Sequence, residues 1–103
     1  MLILQSRNGV PIRLTEERWR HITRRHPEID DQRDRVLETV GDPDLIQQGD
    51  YGEVLAVRYY IQTPLTSKFL TVAYREISSD DGFVLTAYFT NRPSARRAMI
   101  WKR

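Results

Sequence analysis

The chain contains no cysteine among its 103 residues. This absence excludes disulfide bonds, thiolate metal sites and a cysteine nucleophile. Long apolar runs are also lacking, because the opening MLILQSRNGV has only three consecutive apolar residues after its methionine. A run of that length forms neither a secretory signal nor a membrane-spanning helix, so we expect a cytoplasmic protein with no membrane partner.

Histidine is almost as scarce as cysteine, and His21 and His26 are the two in the chain. On a helix these side chains would point about 140° apart, because each residue adds ~100° around the axis. They are therefore not the i, i+4 pair of a zinc-binding helix. Without a cysteine or a third histidine, we expect neither a transition-metal site nor a cofactor.

Lysine is rare as well, because 14 of the 16 basic residues are arginine, which binds phosphate in a bidentate manner. Residues 26–53 carry nine acids and two arginines, whereas residues 83–103 carry five basic residues and no acid. Residues 1–25 carry six arginines and two glutamates. If the two ends lie together, they form one basic surface that suits an anionic partner such as nucleic acid, with the acidic middle elsewhere. A solvated surface without function is the alternative.

The length of the chain favours a single domain over residues 1–103. Asn8-Gly9, between two short apolar stretches, predicts a tight N-terminal β-hairpin. Thr15 is the predicted N-cap of a first helix over about residues 16–26, with two glutamates in its first turn. A second helix is predicted over about residues 31–40.

Three strands rich in β-branched and aromatic residues follow, at residues 53–61, 68–77 and 82–91. Residues 63–67 are predicted to join the first two strands, and the turn at residues 78–82 makes the last two a hairpin. Residues 94–103 are predicted to form a short helical turn and an edge strand. The fold class is therefore α+β, with the hairpin and two helices packed on an antiparallel sheet of about four strands.

Side chains alternate along a strand, so each strand offers two faces. In the last strand the predicted core face consists of Phe83, Leu85, Ala87 and Phe89. The opposite sheet face is predicted to gather Arg58, Tyr60, Thr71, Arg75, Thr86, Tyr88 and Thr90. That polar face is either the solvated side of the sheet or a surface for phosphate and bases.

His26 shares one face of the first helix with Trp19 and Ile22, at i, i+3 and i+7. Pro27 ends the helix there, so His26 is presented at the carboxyl end, whose partial negative charge favours an imidazolium. A histidine held by a local hydrogen bond is the alternative. His21 is predicted to face solvent and to have no catalytic role.

Three segments, RLTEERWRHITRRHPEI, VLETVGDPDLIQQGDYGEVLAVRYY and KFLTVAYREISSDDGFVLTAYFT, resemble the phage-type barnase–EndoU–colicin–RelE-like nuclease domains over roughly Ile12 to Arg92. The resemblance implies the barnase/RelE-like nuclease fold, with N-terminal helices against a four-stranded antiparallel sheet. It also implies a metal-independent ribonuclease, often the toxin of a phage-derived or toxin–antitoxin system. The catalytic residues that it implies are His26, Arg58, Arg75, Thr86, Tyr88 and Thr90. No lysine stands within a strand here, which leaves open which of the two arginines acts.

In such an enzyme the 2′-hydroxyl of RNA attacks the adjacent phosphate and leaves a 2′,3′-cyclic phosphate. A histidine can move the proton, and an arginine can stabilise the charge on the phosphoryl oxygens. The residues expected to bind substrate are Arg24, Arg25, Tyr60 and Arg92. The expected partners are RNA, including tRNA-like RNA, and a cognate protein inhibitor. A non-catalytic nucleic-acid-binding module and an interaction domain for an acidic protein are the alternatives.

Overall fold

The structure is a computed structural model, and it describes residues 1–66 and 68–103. It contains two α-helices and a seven-stranded mixed sheet, so the predicted α+β class is confirmed. The helices are α1 (Glu16–Arg25) and α2 (Arg33–Gly41), with a short 3₁₀ helix (Pro27–Ile29) between them. The strands are β1 (Leu2–Gln5), β2 (Pro11–Leu14), β3 (Leu45–Gln48), β4 (Val54–Tyr59), β5 (Phe69–Ser78), β6 (Asp81–Thr90) and β7 (Met99–Lys102).

The strand order across the sheet is β1-β2-β6-β5-β4-β3-β7. The predicted antiparallel meander β4-β5-β6 forms its centre, but four further strands extend it, so the sheet is wider than the predicted four strands. It is also mixed, because β2 runs parallel to β6. This junction needs a glycine at position 82, where a Cβ would lie 2.6 Å from the Arg75 carbonyl oxygen and from Ile12 Cδ1.

The local signals at the N-terminal end are confirmed. β1 and β2 form an antiparallel hairpin, and Gly9 in its turn adopts the left-handed φ of +82° that the Asn-Gly pair predicts. Thr15 caps α1, because its Oγ1 accepts a hydrogen bond from Arg18 N at 3.1 Å. α1 ends at Arg25, and His26 is the C-cap residue, outside helical geometry at φ −131° and ψ 73°.

The predicted core face of β6 is wrong in its first half. The pairing of β5 with β6 shifts between Ala73 and Tyr74, so Leu85 is an extra residue in β6. Such a bulge reverses the alternation on one side of it. Ala87 and Phe89 are buried in the core, as predicted. Val84 is buried with them, whereas Phe83 and Leu85, which were predicted to be core residues, are only half-buried.

The helices cover one face of the sheet, and the hydrophobic core lies between the helices and that face. Its largest members include Ile12, Trp19, Ile22, Ile29, Leu70 and Tyr74. Ala56 and Val72 are paired across β4 and β5 on this covered face, and so is Arg58 with Leu70. The predicted polar face is thus wrong for Arg58 and Tyr60, which lie on the helix side of the sheet. The reason is that β4 directs Val54 and Ala56 toward the helices, and Arg58 and Tyr60 continue the same alternation.

The remaining connections complete the chain. The link predicted over residues 63–67 lies between β4 and β5 and includes Ser67, which is outside the described residues. Residues 95–97 form a bend instead of the predicted helical turn, and the expected edge strand follows as β7. Among the described residues no helix is long and apolar enough to cross a membrane.

Candidate functional site

His26 lies where α1 ends and faces β6. Its ring is 5.8 Å from the ring of Tyr88, centroid to centroid, with the planes tilted by 33°. Its Nδ1 is 3.5 Å from Glu28 Oε1, which is an ion-pair separation. His26 is outside helical geometry, at φ −131° and ψ 73°, so the helical stripe of Trp19 and Ile22 does not fix where its ring lies.

A cleft of about 430 Å³ opens beside His26, and we call it the histidine cleft. It is lined by His21, Arg25, His26, Leu85, Thr86 and Tyr88. His21 is exposed, as predicted, yet it lies on the same cleft as His26. The angle of about 140° between the two histidines holds only if both are helical, and His26 is not.

The histidine cleft lies along the outer edge of β6. Only the first residues of β6 pair with another strand at this edge. The described pairing with β2 ends at Phe83, so α1, and not another strand, lies along the rest of that edge. Arg18 Nη1 donates to the Leu85 carbonyl oxygen at the bulge, at 3.5 Å. Leu85, the extra residue of the bulge, is thus one of the residues that line the cleft.

A second depression, of about 650 Å³, lies on the sheet face that the helices leave open. We call it the arginine groove, and its floor and walls come from β3 to β6 and the segment before β7. It is lined by Gln47, Gln48, Gly49, Asp50, Leu55, Thr71, Tyr88, Thr90, Arg92, Pro93, Ser94, Arg96, Arg97 and Ala98. Tyr88 lines both depressions, so the two are neighbours along β6.

Arg58 lies in neither depression. Its Nη1 donates to the Asp42 carboxylate at 2.9 Å and to the Asp42 carbonyl oxygen at 2.5 Å, and its Nε is 3.5 Å from Glu38. Burial alone would lower the pKa of Arg58, but the bond to Asp42 and the charge of Glu38 raise it above the ordinary value. Arg58 thus joins β4 to the end of α2.

Tyr60 belongs to the same network. Its hydroxyl donates to Glu38 Oε1 at 2.6 Å, and burial together with this bond raises the pKa of Tyr60 to about 12. Arg35 lies 4.5 Å above its ring. Tyr60 was predicted to bind substrate, but the structure places it beside α2 and away from both depressions.

Arg75 is on the open face of the sheet, as predicted, but it does not line the histidine cleft or the arginine groove. Its Nη2 donates to the Tyr51 carbonyl oxygen at 2.6 Å. The structure therefore brings neither strand arginine next to His26. Arg25 is the cation that shares the cleft with it, and Arg92 lies in the neighbouring groove.

The charges are not separated into a basic surface and a distant acidic one. The two ends of the chain do meet, since the Arg7 guanidinium lies 4.0 Å from the centre of the Trp101 ring. The acidic middle segment, however, pairs with the basic C-terminal segment, for example through Asp50 and Arg97 at 3.1 Å. The predicted single basic surface is wrong for that segment.

α1 keeps a basic surface of its own. Arg20, Arg24 and Arg25 form no ion pair with any residue that the structure describes. Arg20 and Arg24 also line a further depression along α1, of about 700 Å³, together with His21. Arg24, predicted to bind substrate, is thus on the flank of the histidine cleft rather than inside it.

Four residues of the candidate site are not among those predicted from the sequence, namely Glu28, His21, Gln47 and Arg96, and for His21 the prediction was that it has no catalytic role. Glu28 follows His26 by two positions in the RHPE segment, and that spacing is the one signal that was available. The other three depend on contacts between distant segments. Within residues 1–66 and 68–103, no group of three histidine, aspartate or glutamate side chains lies close enough together to hold a metal ion.

No protein-family model, curated protein or solved structure matches the chain.

Proposed function

We propose that the protein is a metal-independent endoribonuclease that acts at the histidine cleft. The observation that carries this proposal is the grouping of proton-transfer and cationic side chains in one small cleft. His26 lies against Tyr88, and the Glu28 carboxylate is 3.5 Å from His26 Nδ1. Arg25, His21 and Thr86 line the same space. This is the set of groups that phosphodiester cleavage by an internal hydroxyl requires.

His26 is the general base in this mechanism. With Nδ1 directed at Glu28, Nε2 is available to accept the proton of the RNA 2′-hydroxyl. Glu28 then stabilises the imidazolium that forms, as a carboxylate does beside a catalytic histidine in other hydrolases. The bond from the 2′-oxygen to phosphorus forms while the bond from phosphorus to the 5′-oxygen breaks. The products are a 2′,3′-cyclic phosphate and a free 5′-hydroxyl.

The other lining residues have separate tasks. His21 donates the proton that the leaving 5′-oxygen takes up. The Arg25 guanidinium binds the non-bridging phosphoryl oxygens, where charge builds in the transition state. Thr86 orients one of these oxygens through its hydroxyl, and the Tyr88 ring stacks on a base of the substrate.

The likeness to barnase–EndoU–colicin–RelE-like nucleases belongs to the same proposal. It is supported by the chain order, in which two helices precede the central antiparallel meander, and by the position of His26 at the helix end. A ribonuclease in the cytoplasm needs control, so we include a cognate acidic protein inhibitor of a toxin–antitoxin or phage-derived pair. Its docking surface is the row of α1 arginines without acidic partners among the described residues.

A non-catalytic nucleic-acid-binding module is the second candidate. The observation that favours it is the same free charge on Arg20, Arg24 and Arg25, since a binding protein needs unpaired cations and no proton transfer. The two candidates differ in whether His26 matters for anything beyond binding.

Incubation of the purified protein with single-stranded and tRNA-like RNA in excess EDTA tests the reaction. Cleavage is expected, with 2′,3′-cyclic phosphate ends that acid treatment opens. A matched DNA of the same sequence should remain intact, because it has no 2′-hydroxyl. A requirement for magnesium or manganese, or equal cleavage of the DNA, would contradict the mechanism. Binding without cleavage would favour the second candidate.

A further inference from the structure

The arginine groove is a well-formed depression, and the reaction proposed at the histidine cleft does not use it. It adjoins that cleft through Tyr88, which lines both depressions. Its volume of about 650 Å³ is in the range of pockets that hold a small organic ligand. The groove therefore has the volume for one nucleotide and lies next to the cleft where the proposed reaction takes place.

Buried polar side chains line the groove. Gln47 and Thr71 are 2% and 4% exposed, although each faces the open side of the sheet. The hydroxyl of Thr90 is buried and has no hydrogen-bond partner among the described residues. A buried hydroxyl without a partner is costly, and natural structures retain few of them. A ligand that hydrogen-bonds to Thr90 would remove that cost.

Gln47 is oriented by its surroundings. Its side-chain amide donates to the Ser94 carbonyl oxygen at 2.7 Å. Because a carbonyl oxygen only accepts, the amide nitrogen must face Ser94, and Gln47 Oε1 is left as an acceptor. An acceptor held in this way recognises a donor on a ligand, such as the amino or imino group of a nucleobase.

The cationic side chains of the groove fall into two kinds. Arg97 is bound to Asp50 through both terminal nitrogens, at 3.1 Å and 3.3 Å. Arg92 and Arg96 form no ion pair within the described part of the chain. Their guanidinium groups are therefore available for a phosphate at the mouth of the groove.

We infer that the arginine groove binds one ribonucleotide next to the scissile phosphate and recognises its base. Gln47 and Thr90 hydrogen-bond to the base, and Arg92 and Arg96 bind its phosphate. The inference deepens the proposed function and rests on it for the identity of the substrate. It makes the groove, and not the histidine cleft, the source of sequence preference in cleavage.

Titration of the protein with the four ribonucleoside 5′-monophosphates, the four nucleosides and inorganic phosphate tests this without turnover. Amide chemical shifts in residues 90–98 report on the site, and calorimetry gives the affinity. At least one monophosphate should bind in the groove more tightly than inorganic phosphate. Thr90→Val should weaken it about 3- to 10-fold, the effect of one lost hydrogen bond, and Arg96→Gln by a similar factor. The matched variants Thr23→Val and Arg7→Gln, outside both depressions, should bind as the parent does.

Thr90→Val also separates a ligand contact from a structural role. The substitution removes a buried hydroxyl that has no partner among the described residues. The melting temperature of the variant should therefore equal or exceed that of the parent, while its affinity for the nucleotide falls. The inference would be overturned, even if RNA is cleaved, by either of two results. One is that inorganic phosphate binds as tightly as every monophosphate, and the other is that Thr90→Val and Arg96→Gln bind nucleotide with unchanged affinity. A monophosphate bound in the groove of a protein that cleaves no RNA would remove the proposed reaction and keep the binding site.

Discussion

Two parts of this molecule use arginine in opposite ways. Beside α2, Arg58 and Arg103 both bind the carboxylate of Asp42, and this network holds the helix end to β4 and to the chain terminus. Along α1, Arg20, Arg24 and Arg25 form no ion pair within the described residues, although the charge of Arg20 acts on Glu16 one turn away. The difference shows that an arginine's task is decided by the carboxylates within its reach. Arg25 can bind an incoming phosphate, whereas Arg58 is already occupied.

The largest expected effect is on the α1 side. His26→Ala should lower the single-turnover rate of RNA cleavage by about 10²- to 10⁴-fold, the usual contribution of a general base. RNA affinity and melting temperature should change little, because the neighbouring arginines and the packed face of α1 remain. Gel-based cleavage rates beside thermal melts give both quantities. Wild-type cleavage by a stable His26→Ala protein would remove this residue from the reaction.

The direct comparison between the two regions is Arg25→Ala against Arg58→Ala. Loss of Arg25 should reduce cleavage about 10- to 100-fold, the equivalent of a hydrogen bond to a charged group, without unfolding the protein. Loss of Arg58 should instead lower the free energy of unfolding by about 1 kcal/mol, since Glu38 loses its cation and Asp42 keeps only Arg103. Rates per folded molecule, measured below the melting transition, should stay near the parent value in Arg58→Ala. The opposite pattern would reassign the strand arginine to the site.

The two regions also differ in how far the sequence alone predicts them. The hairpin turn at Asn8-Gly9 and the cap at Thr15 depend on neighbouring residues, and both were predicted. The pairing of Arg58 with Asp42 joins positions 16 apart across a turn and a strand pair, and no local pattern signals it. For this reason the same arginine was assigned to the open sheet face.

The candidate site shows a similar limit. His26 at the end of α1 followed from Pro27, which is local information. That His21 lines the same cleft could not be predicted from the sequence. It depends on the departure of His26 from helical geometry and on the bulge at Leu85. That bulge depends on how β5 pairs with β6, so alternation within β6 could not reveal it. β3 was missed as a strand because its four residues, LIQQ, pair on both sides only in the finished sheet.

A smaller effect is expected from acid on the α2 side. Hydrogen bonds from Arg103 and Arg58 lower the pKa of Asp42 below its ordinary value. A lowered folded-state pKa contributes stability that is present above the unfolded value of about 4 and is lost as the pH falls through the folded value. Asp42→Asn should therefore reduce stability at neutral pH and narrow the difference in melting temperature between pH 6 and pH 3. The matched variant Asp80→Asn, in the exposed β5–β6 turn, should retain the parent's pH dependence.

The smallest expected effect concerns Tyr88, the residue that joins the two depressions. Its ring centroid is 5.8 Å from that of His26, and its hydroxyl has no hydrogen bond among the described residues. If the ring alone acts, by stacking on a base and supporting the imidazole, Tyr88→Phe should cleave RNA at nearly the parent rate. Tyr88→Leu should lose the aromatic contact, which corresponds to a factor of roughly 2 to 10 in rate. Single-turnover rates for both variants, with melting temperatures alongside, separate the ring from the hydroxyl. A drop in Tyr88→Phe as large as that in His26→Ala would instead make the phenol a proton donor, and His21 would then lose the role proposed for it.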